Sequence, residues 1–120
     1  MRNAQLMGVI LALILLGNIA CKEVLKRAYP SPTLIEMKAE TYFFADPDVF
    51  VTIRNKGASG KILITIKQGS KSWKRIAYFD QNEQRQVKLT CPGLGSGKYE
   101  YEGQPAELAS PEELHGAYGG

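Results

Sequence analysis

Few side chains in this 120-residue chain are suited to nucleophilic or metal chemistry. The chain holds two cysteines, Cys21 and Cys91, and one histidine, His115. A zinc site needs four nitrogen or sulfur ligands, or three ligands and a water, and a histidine-based triad needs its histidine beside a nucleophile. The glutamates near the C-terminus have no partner base, which general acid–base chemistry requires. The sequence therefore predicts a protein that is not an enzyme and that holds no metal or other cofactor.

Basic residues are concentrated in the middle of the chain. Between Val49 and Lys98 there are ten Lys or Arg residues and two acidic residues, whereas five glutamates and no basic residue follow Lys98. Such a stretch attracts anionic partners. The candidates for binding an anionic lipid or polymer are Lys61, Lys67, Lys71, Lys74, Arg75 and Lys88. In the alternative interpretation these side chains line a solvated sheet face, discourage edge pairing and are balanced by the acidic C-terminal end.

The first twenty-one residues differ from the rest of the chain. Arg2 is followed by a run of apolar residues and then by Gly17-Asn18-Ile19-Ala20-Cys21. A charged start, an apolar stretch of about 7–15 residues and small residues at its end are typical of a secretory signal. The uncharged stretch from Asn3 to Ala20 would also extend about 27 Å as a helix, which barely spans a hydrocarbon core of ~30 Å.

The end of this run resembles the lipobox of bacterial lipoproteins, in which a cysteine is diacylated and becomes the first mature residue. Ile19 and Ala20 fit that pattern directly before Cys21, whereas Asn18 stands where the family prefers Leu. The resemblance implies lipidation of Cys21 and a location in the bacterial cell envelope, with the domain facing the periplasm or the exterior. Two alternatives stay open: an uncleaved transmembrane helix, or an ordinary cleaved signal. The basic residues after the run oppose an uncleaved, outward-facing anchor, because such residues favour the cytoplasmic side.

The composition divides the chain into four parts. Residues 1–21 are the signal with its lipobox, or the membrane anchor, and residues 22–32 form a stalk. The stalk ends in two prolines, which terminate helices and favour extended geometry. Residues 33–103 are predicted to form a β-sandwich, and residues 104–120 a flexible acidic tail.

From Thr33 onward, short segments of alternating apolar and polar residues are separated by turn residues about every 8–12 positions. The segments predicted as strands are Leu34–Lys38, Thr41–Phe44, Val49–Arg54, Lys61–Lys67, Ser72–Phe79, Gln84–Cys91 and Lys98–Glu102. This pattern predicts an all-β fold, an antiparallel sandwich of about six or seven strands preceded by an N-terminal hydrophobic helix. The residues predicted to share one core are Val51, Ile53, Ile62, Ile64, Val87 and Leu89. Trp73 is expected in the core as well, with a carbohydrate-binding platform as the alternative.

The alternating strand from Val49 and the following Asn55-Lys56-Gly57 resemble the second strand of CARDB-like and related immunoglobulin-like bacterial surface domains. The turn that ends in Glu83 and the Pro92-Gly93 loop are similar to later turns of those domains. The resemblance implies an immunoglobulin-like sandwich from about Thr33 to Tyr101 that serves adhesion, scaffolding or complex assembly. It brings no catalytic residues with it.

These patterns predict a membrane-anchored envelope protein with a non-catalytic binding or scaffolding sandwich. The expected partners are the membrane, one or more envelope proteins, and an anionic lipid or polymer. Nucleic acid is not expected, because an exported domain rarely meets it. In the alternative, the chain is a small accessory subunit of a membrane protein complex. Its leader, residues 1–21, then stays as an uncleaved transmembrane helix.

Overall fold

The computed structural model describes residues 28–119. The strands among these residues are β1 (Pro32–Glu40), β2 (Asp48–Asn55), β3 (Gly60–Gln68), β4 (Lys71–Phe79), β5 (Gln84–Thr90), β6 (Glu100–Pro105) and β7 (Tyr118–Gly119). A 3₁₀ turn at Ala106–Leu108 and one helical turn, α1 (Pro111–Leu114), separate β6 from β7. The predicted N-terminal helix, Cys21 and residues 22–27 of the stalk lie outside the described residues.

The strands form two sheets. One sheet has the order β1-β2-β5, and the other has the order β6-β3-β4-β7. Neighbouring strands pair antiparallel, except that β7 pairs parallel with β4. The predicted mostly-β, sandwich-like architecture is therefore confirmed, with β7 as a two-residue parallel addition at one edge.

Side chains from both sheets meet in one apolar core. The alternation predicted for β2, β3 and β5 is observed, because the six residues predicted to share a core are all at most 3% exposed. Phe79 and Cys91 complete this core. Trp73 packs at its rim, half-buried, and its indole N–H donates to the carbonyl of Pro92 at 3.1 Å.

β3 is buried on both of its faces. Leu63 and Thr65 alternate with the core residues of this strand and point away from the core, yet they are only 1% and 5% exposed. The 3₁₀ turn after β6 contacts β3. Lys74, which pairs with Thr65, reaches the backbone carbonyl of Glu112 at 3.5 Å. The segment after β6 therefore lies across the outer face of this sheet.

The segment predicted as a flexible acidic tail contains short regular elements. β6 continues to Pro105, beyond the predicted end of the sandwich at residue 103, and defined turns follow it. The Ser110 hydroxyl accepts a hydrogen bond from the Glu113 N–H, and the Glu113 carboxylate accepts one from the Ser110 N–H, both at 3.1 Å. This reciprocal capping satisfies donors that a helix end leaves open. The sequence alone does not show where this segment packs, because the outer face of β3, which the segment covers, is distant in the chain.

The strand predicted at Thr41–Phe44 is wrong, because these residues lie in the loop between β1 and β2. β1 is nine residues long and pairs as far as Glu40, which faces Asp48 at the start of β2. Pro47 has no N–H group and cannot donate a hydrogen bond to a neighbouring strand. The pairing register of β1 is set by β2, because β2 must keep its apolar face in the core. The strand-forming residues 41–44 are therefore left in the connection.

Asn55 joins three segments at the end of the sandwich where β1 begins. Its side chain is fully buried. Its Oδ1 accepts hydrogen bonds from the backbone N–H groups of Ser31 at 2.9 Å and Gly57 at 3.0 Å. Its Nδ2 donates to the carbonyls of Ala58 at 2.8 Å and Asp80 at 3.2 Å. Only a primary amide offers two donors and an acceptor oxygen with two lone pairs in this small volume, which explains the Asn-x-Gly pattern.

Replacing Asn55 with Ala removes the partners of four backbone groups in a buried region. Each buried backbone group left without a hydrogen-bond partner costs about 1–3 kcal/mol, and some of the four groups will bond to water instead. We therefore expect the free energy of unfolding in urea to fall by about 2–4 kcal/mol. The exposed neighbour Lys56 is the control, and Lys56→Ala should change stability by less than about 0.5 kcal/mol. Equal stability of the two variants would contradict this role for Asn55.

Candidate functional site

The six basic residues singled out in the sequence do not share one surface. Lys61 and Lys67 lie on the outer face of β3, and Lys74 lies on the same face of β4. Lys88 pairs with Phe50 on the outer face of the other sheet. The structure thus brings three of the candidate side chains onto one face and places Lys88 on the opposite side of the sandwich.

Acidic residues near the C-terminus lie close to this basic face. The Lys67 ammonium contacts the Glu102 carboxylate at 3.0 Å. Lys74 donates to the backbone carbonyl of Glu112 at 3.5 Å. This geometry favours the interpretation in which the acidic end balances the basic strands within the chain.

Lys71 and Arg75 connect parts of the sandwich to each other. The Lys71 ammonium donates to the carbonyl of Gly93 at 2.9 Å and thus holds the loop between β5 and β6. Arg75 lies on the inner side of β4, where its guanidinium donates to the carbonyl of Lys88 on β5. The same guanidinium lies 5.6 Å from the ring centroid of Tyr118. Both cations therefore have structural contacts.

Glu113 joins α1 to β6. Its carboxylate accepts a hydrogen bond from the side-chain amide of Gln104 at 2.6 Å. Hydrogen bonds from Gln104 and from Ser110 lower the pKa of Glu113 below its ordinary value. Further along, the Tyr118 hydroxyl accepts a hydrogen bond from the Thr90 N–H at 3.3 Å. The C-terminal segment, residues 106–119, is therefore held at both of its ends.

The most exposed large apolar side chains among the described residues lie in the loop at residues 41–47, at the opposite end of the sandwich from Asn55. Phe43 is 92% exposed and Phe44 is 94% exposed. Their rings meet edge to face with centroids 4.7 Å apart. We call Tyr42, Phe43 and Phe44 the aromatic tip. Burial of one such ring is worth about 1.5–3 kcal/mol, and contiguous exposed apolar side chains mark interaction surfaces.

Acidic groups flank the aromatic tip. The Tyr42 hydroxyl donates to the Glu40 carboxylate at 3.2 Å. Local desolvation, with hydrogen bonds to Asp48 and Glu40, raises the pKa of Tyr42 to about 12. Between Ala39 and Ile53 the chain has three acidic residues and no Lys or Arg. The charged residues of the loop itself are therefore all acidic, whereas Lys38 and Lys88 lie on either side of Phe50 on the outer face of the sheet.

Sequence reasoning missed the aromatic tip because it placed residues 41–44 in a strand. One signal was present in the sequence: Phe43 and Phe44 are adjacent, and neighbouring strand residues point to opposite faces. A strand would therefore have exposed one of the two rings. The nearby Asp46-Pro47-Asp48 turn also leaves little length for a separate strand.

Cys91 is buried at the end of β5, where its S–H donates to the carbonyl of Leu89 at 3.5 Å. Burial raises the pKa of this thiol to about 11. The thiol is therefore protonated at neutral pH and is a poor nucleophile. Cys21, the predicted lipidation site, lies outside the described residues.

The clefts of the sandwich are shallow. One, of about 230 Å³, lies between β4 and the C-terminal segment, and His115, Trp73 and Tyr118 are among its lining residues. Among its lining residues there is no carboxylate or thiol. Within residues 28–119, no three His, Cys, Asp or Glu side chains are grouped so as to hold a metal ion. The helices of that same range are too short to cross a membrane.

Comparisons of the chain with protein-family models, with curated proteins and with solved structures gave no match. What the protein does must follow from its own residues and geometry.

The attachment of the C-terminal segment should depend on the ionised Glu113 carboxylate. Because its pKa is lowered in the folded state, Glu113 stabilises the attachment above its ordinary pKa, and this contribution is lost as the pH falls through the lowered value. We expect Glu113→Ala at neutral pH to speed amide hydrogen exchange in residues 112–119 while β2 and β3 stay protected.

Glu112→Ala is the matched control, because the Glu112 contact with Lys74 uses the backbone carbonyl and not the carboxylate. This variant should leave exchange in residues 112–119 unchanged. Identical exchange in the two variants, or identical protection factors in the original chain on both sides of the Glu113 titration, would contradict the role given to this carboxylate.

Proposed function

We propose that this chain is a membrane-anchored protein of the bacterial cell envelope, and that its sandwich is an immunoglobulin-like, non-catalytic module for binding or scaffolding. The sequence of the leader supports the proposal of a membrane anchor. Its apolar run is followed by Gly17-Asn18-Ile19-Ala20-Cys21, in which Ile19 and Ala20 fit the lipobox pattern and Asn18 departs from it. Two or more acyl chains on Cys21 would hold the protein firmly, whereas one chain gives only reversible attachment.

The strand order supports the immunoglobulin-like part of the proposal. Immunoglobulin constant domains place their first, second and fifth strands in one sheet and pair their third and sixth strands in the other. Here β1, β2 and β5 form one sheet, and β3 pairs with β6 in the other. β4 departs from that order, because constant domains place their fourth strand beside the fifth, whereas here β4 pairs with β3 as a hairpin partner.

The observation that carries the binding function is the distance between the aromatic tip and the start of β1, where the chain enters the sandwich. The chain enters the sandwich at Pro32, beside Asn55, and β1 runs from there to the loop that bears Phe43. Eight steps along a strand at ~3.3 Å each cover about 26 Å. An N-terminal anchor would therefore hold one end of the sandwich near the membrane and present the aromatic tip at the far end.

The accessory-subunit alternative uses the same geometry with a different anchor. In that case the leader stays intact as a transmembrane helix beside a partner, and Cys21 carries no lipid. The two versions predict different masses for the mature chain, so they can be separated directly.

Lipidation is tested by metabolic labelling with a clickable fatty acid and by intact mass, on the full chain in a bacterial host. We expect the mature chain to begin at a labelled Cys21, and Cys21→Ala to lose the label without unfolding, because the described sandwich starts only at Pro32. Cys91→Ala is the matched control. It should stay labelled, because the Cys91 thiol is buried in the core.

An unlabelled chain that begins at Met1 and stays in the membrane would contradict lipidation. The accessory-subunit alternative would then replace it as the better account of the leader.

A further inference from the structure

The loop that carries the aromatic tip is hydrogen-bonded to the sandwich at Pro47 and Asp48, and it projects into solvent at Phe43 and Phe44. The Asp48 carboxylate accepts a hydrogen bond from the Thr90 hydroxyl at 2.8 Å, and the carbonyl of Pro47 accepts one from the Cys91 N–H at 2.8 Å. Both bonds tie the loop to β5 and the residue after it. The two phenylalanines pack against each other and are more than nine-tenths exposed. Such a prearranged apolar knob loses little conformational entropy when a partner covers it.

The charge at the base of the tip discriminates between partners. Glu40, Asp46 and Asp48 are the charged residues between Ala39 and Ile53. If the rings entered an anionic membrane, Glu40, Asp46 and Asp48 would approach a surface that attracts Lys and Arg, although Lys71 and Lys98 lie at the same end of the sandwich. A second copy docked tip to tip would bring the two acidic sets together, and like charges across an interface are unfavourable. A protein surface with an apolar pocket bordered by Lys or Arg is complementary both to the rings and to the carboxylates.

We propose that the aromatic tip is a docking site for another protein that receives Phe43 and Phe44 in an apolar pocket rimmed by basic side chains. This inference deepens the binding function proposed above and rests on it. The rings supply the buried contact, as aromatic anchors commonly do in interfaces. The flanking carboxylates orient the pocket and select its basic rim.

The test is photo-crosslinking in cells that produce the protein naturally, with the full chain carrying p-benzoylphenylalanine in place of Phe43. The control carries the same group in place of Tyr78, which is 51% exposed on the outer face of β4. We expect the Phe43 position to crosslink to one protein, and mass spectrometry of the joined peptide to place apolar residues and Lys or Arg at the attachment point. The Tyr78 position should not give this product.

A second pair of changes tests the chemistry of the site. Asp46→Lys, which reverses one flanking charge, and Phe44→Ser, which removes one ring, should each cause loss of the crosslink at position 43. Slow reaction of the buried Cys91 thiol would show that these variants remain folded. Retention of the crosslink in both variants would overturn the proposal.

Other products would overturn the proposal as well. A crosslink to phospholipid would make the tip a membrane-insertion loop, and a crosslink to a second copy would make it a self-association surface. No product above that of the Tyr78 control would mean that the tip has no partner. Absence of fatty-acid label at Cys21 combined with the expected crosslink would reject the lipid anchor alone.

Discussion

One buried side-chain amide determines how the end of the sandwich where β1 begins is assembled. Asn55 is completely inaccessible, and each of its polar atoms is used twice in hydrogen bonds to backbone groups. Those groups belong to the segment that enters β1, to the turn between β2 and β3, and to the turn between β4 and β5. A buried polar group is tolerated only when it is fully hydrogen-bonded. Asn55 therefore fixes the relative positions of three connections that belong to both sheets.

The opposite end of the sandwich is held in a different way. Gln68 donates to the carbonyls of Gly95 and Gly97, both at 3.1 Å, and so orders the glycine-rich loop. The loop between β1 and β2 is tied at its base and leaves two phenylalanine rings in solvent. The molecule thus has a closed end, where its polar groups are satisfied internally, and an open end that presents apolar surface.

The sequence predicts the core well and the surface poorly. Val51, Ile64 and Leu89 belong to two-residue alternations that predict strands, and all three are buried. The alternation cannot reveal that Leu63 is also covered, because the covering segment lies more than forty residues later in the chain. Phe43 and Phe44 have strong strand propensity, but the pairing of β1 with β2 leaves them in a loop.

The sequence also does not predict where the charged residues lie on the surface. The excess of Lys and Arg in the middle of the chain is real, but composition does not say which sheet face each one occupies. Lys74 and Lys88 are fourteen positions apart in the sequence and lie on the outer faces of different sheets. Arg75 points inward and bridges the two sheets. The strand register determines which sheet face each cation occupies. It therefore determines whether the cations form one binding surface or make separate local contacts.

Native-state hydrogen exchange measured residue by residue tests this division of the molecule most directly. If Asn55 holds the closed end, the amide protons of Ser31 and Gly57 should exchange only with global unfolding, at the rate of the β2 and β3 core. The amides of Phe43 and Phe44 should exchange far faster. Exchange of Ser31 and Gly57 as fast as that of the aromatic tip, with the core still protected, would contradict the account.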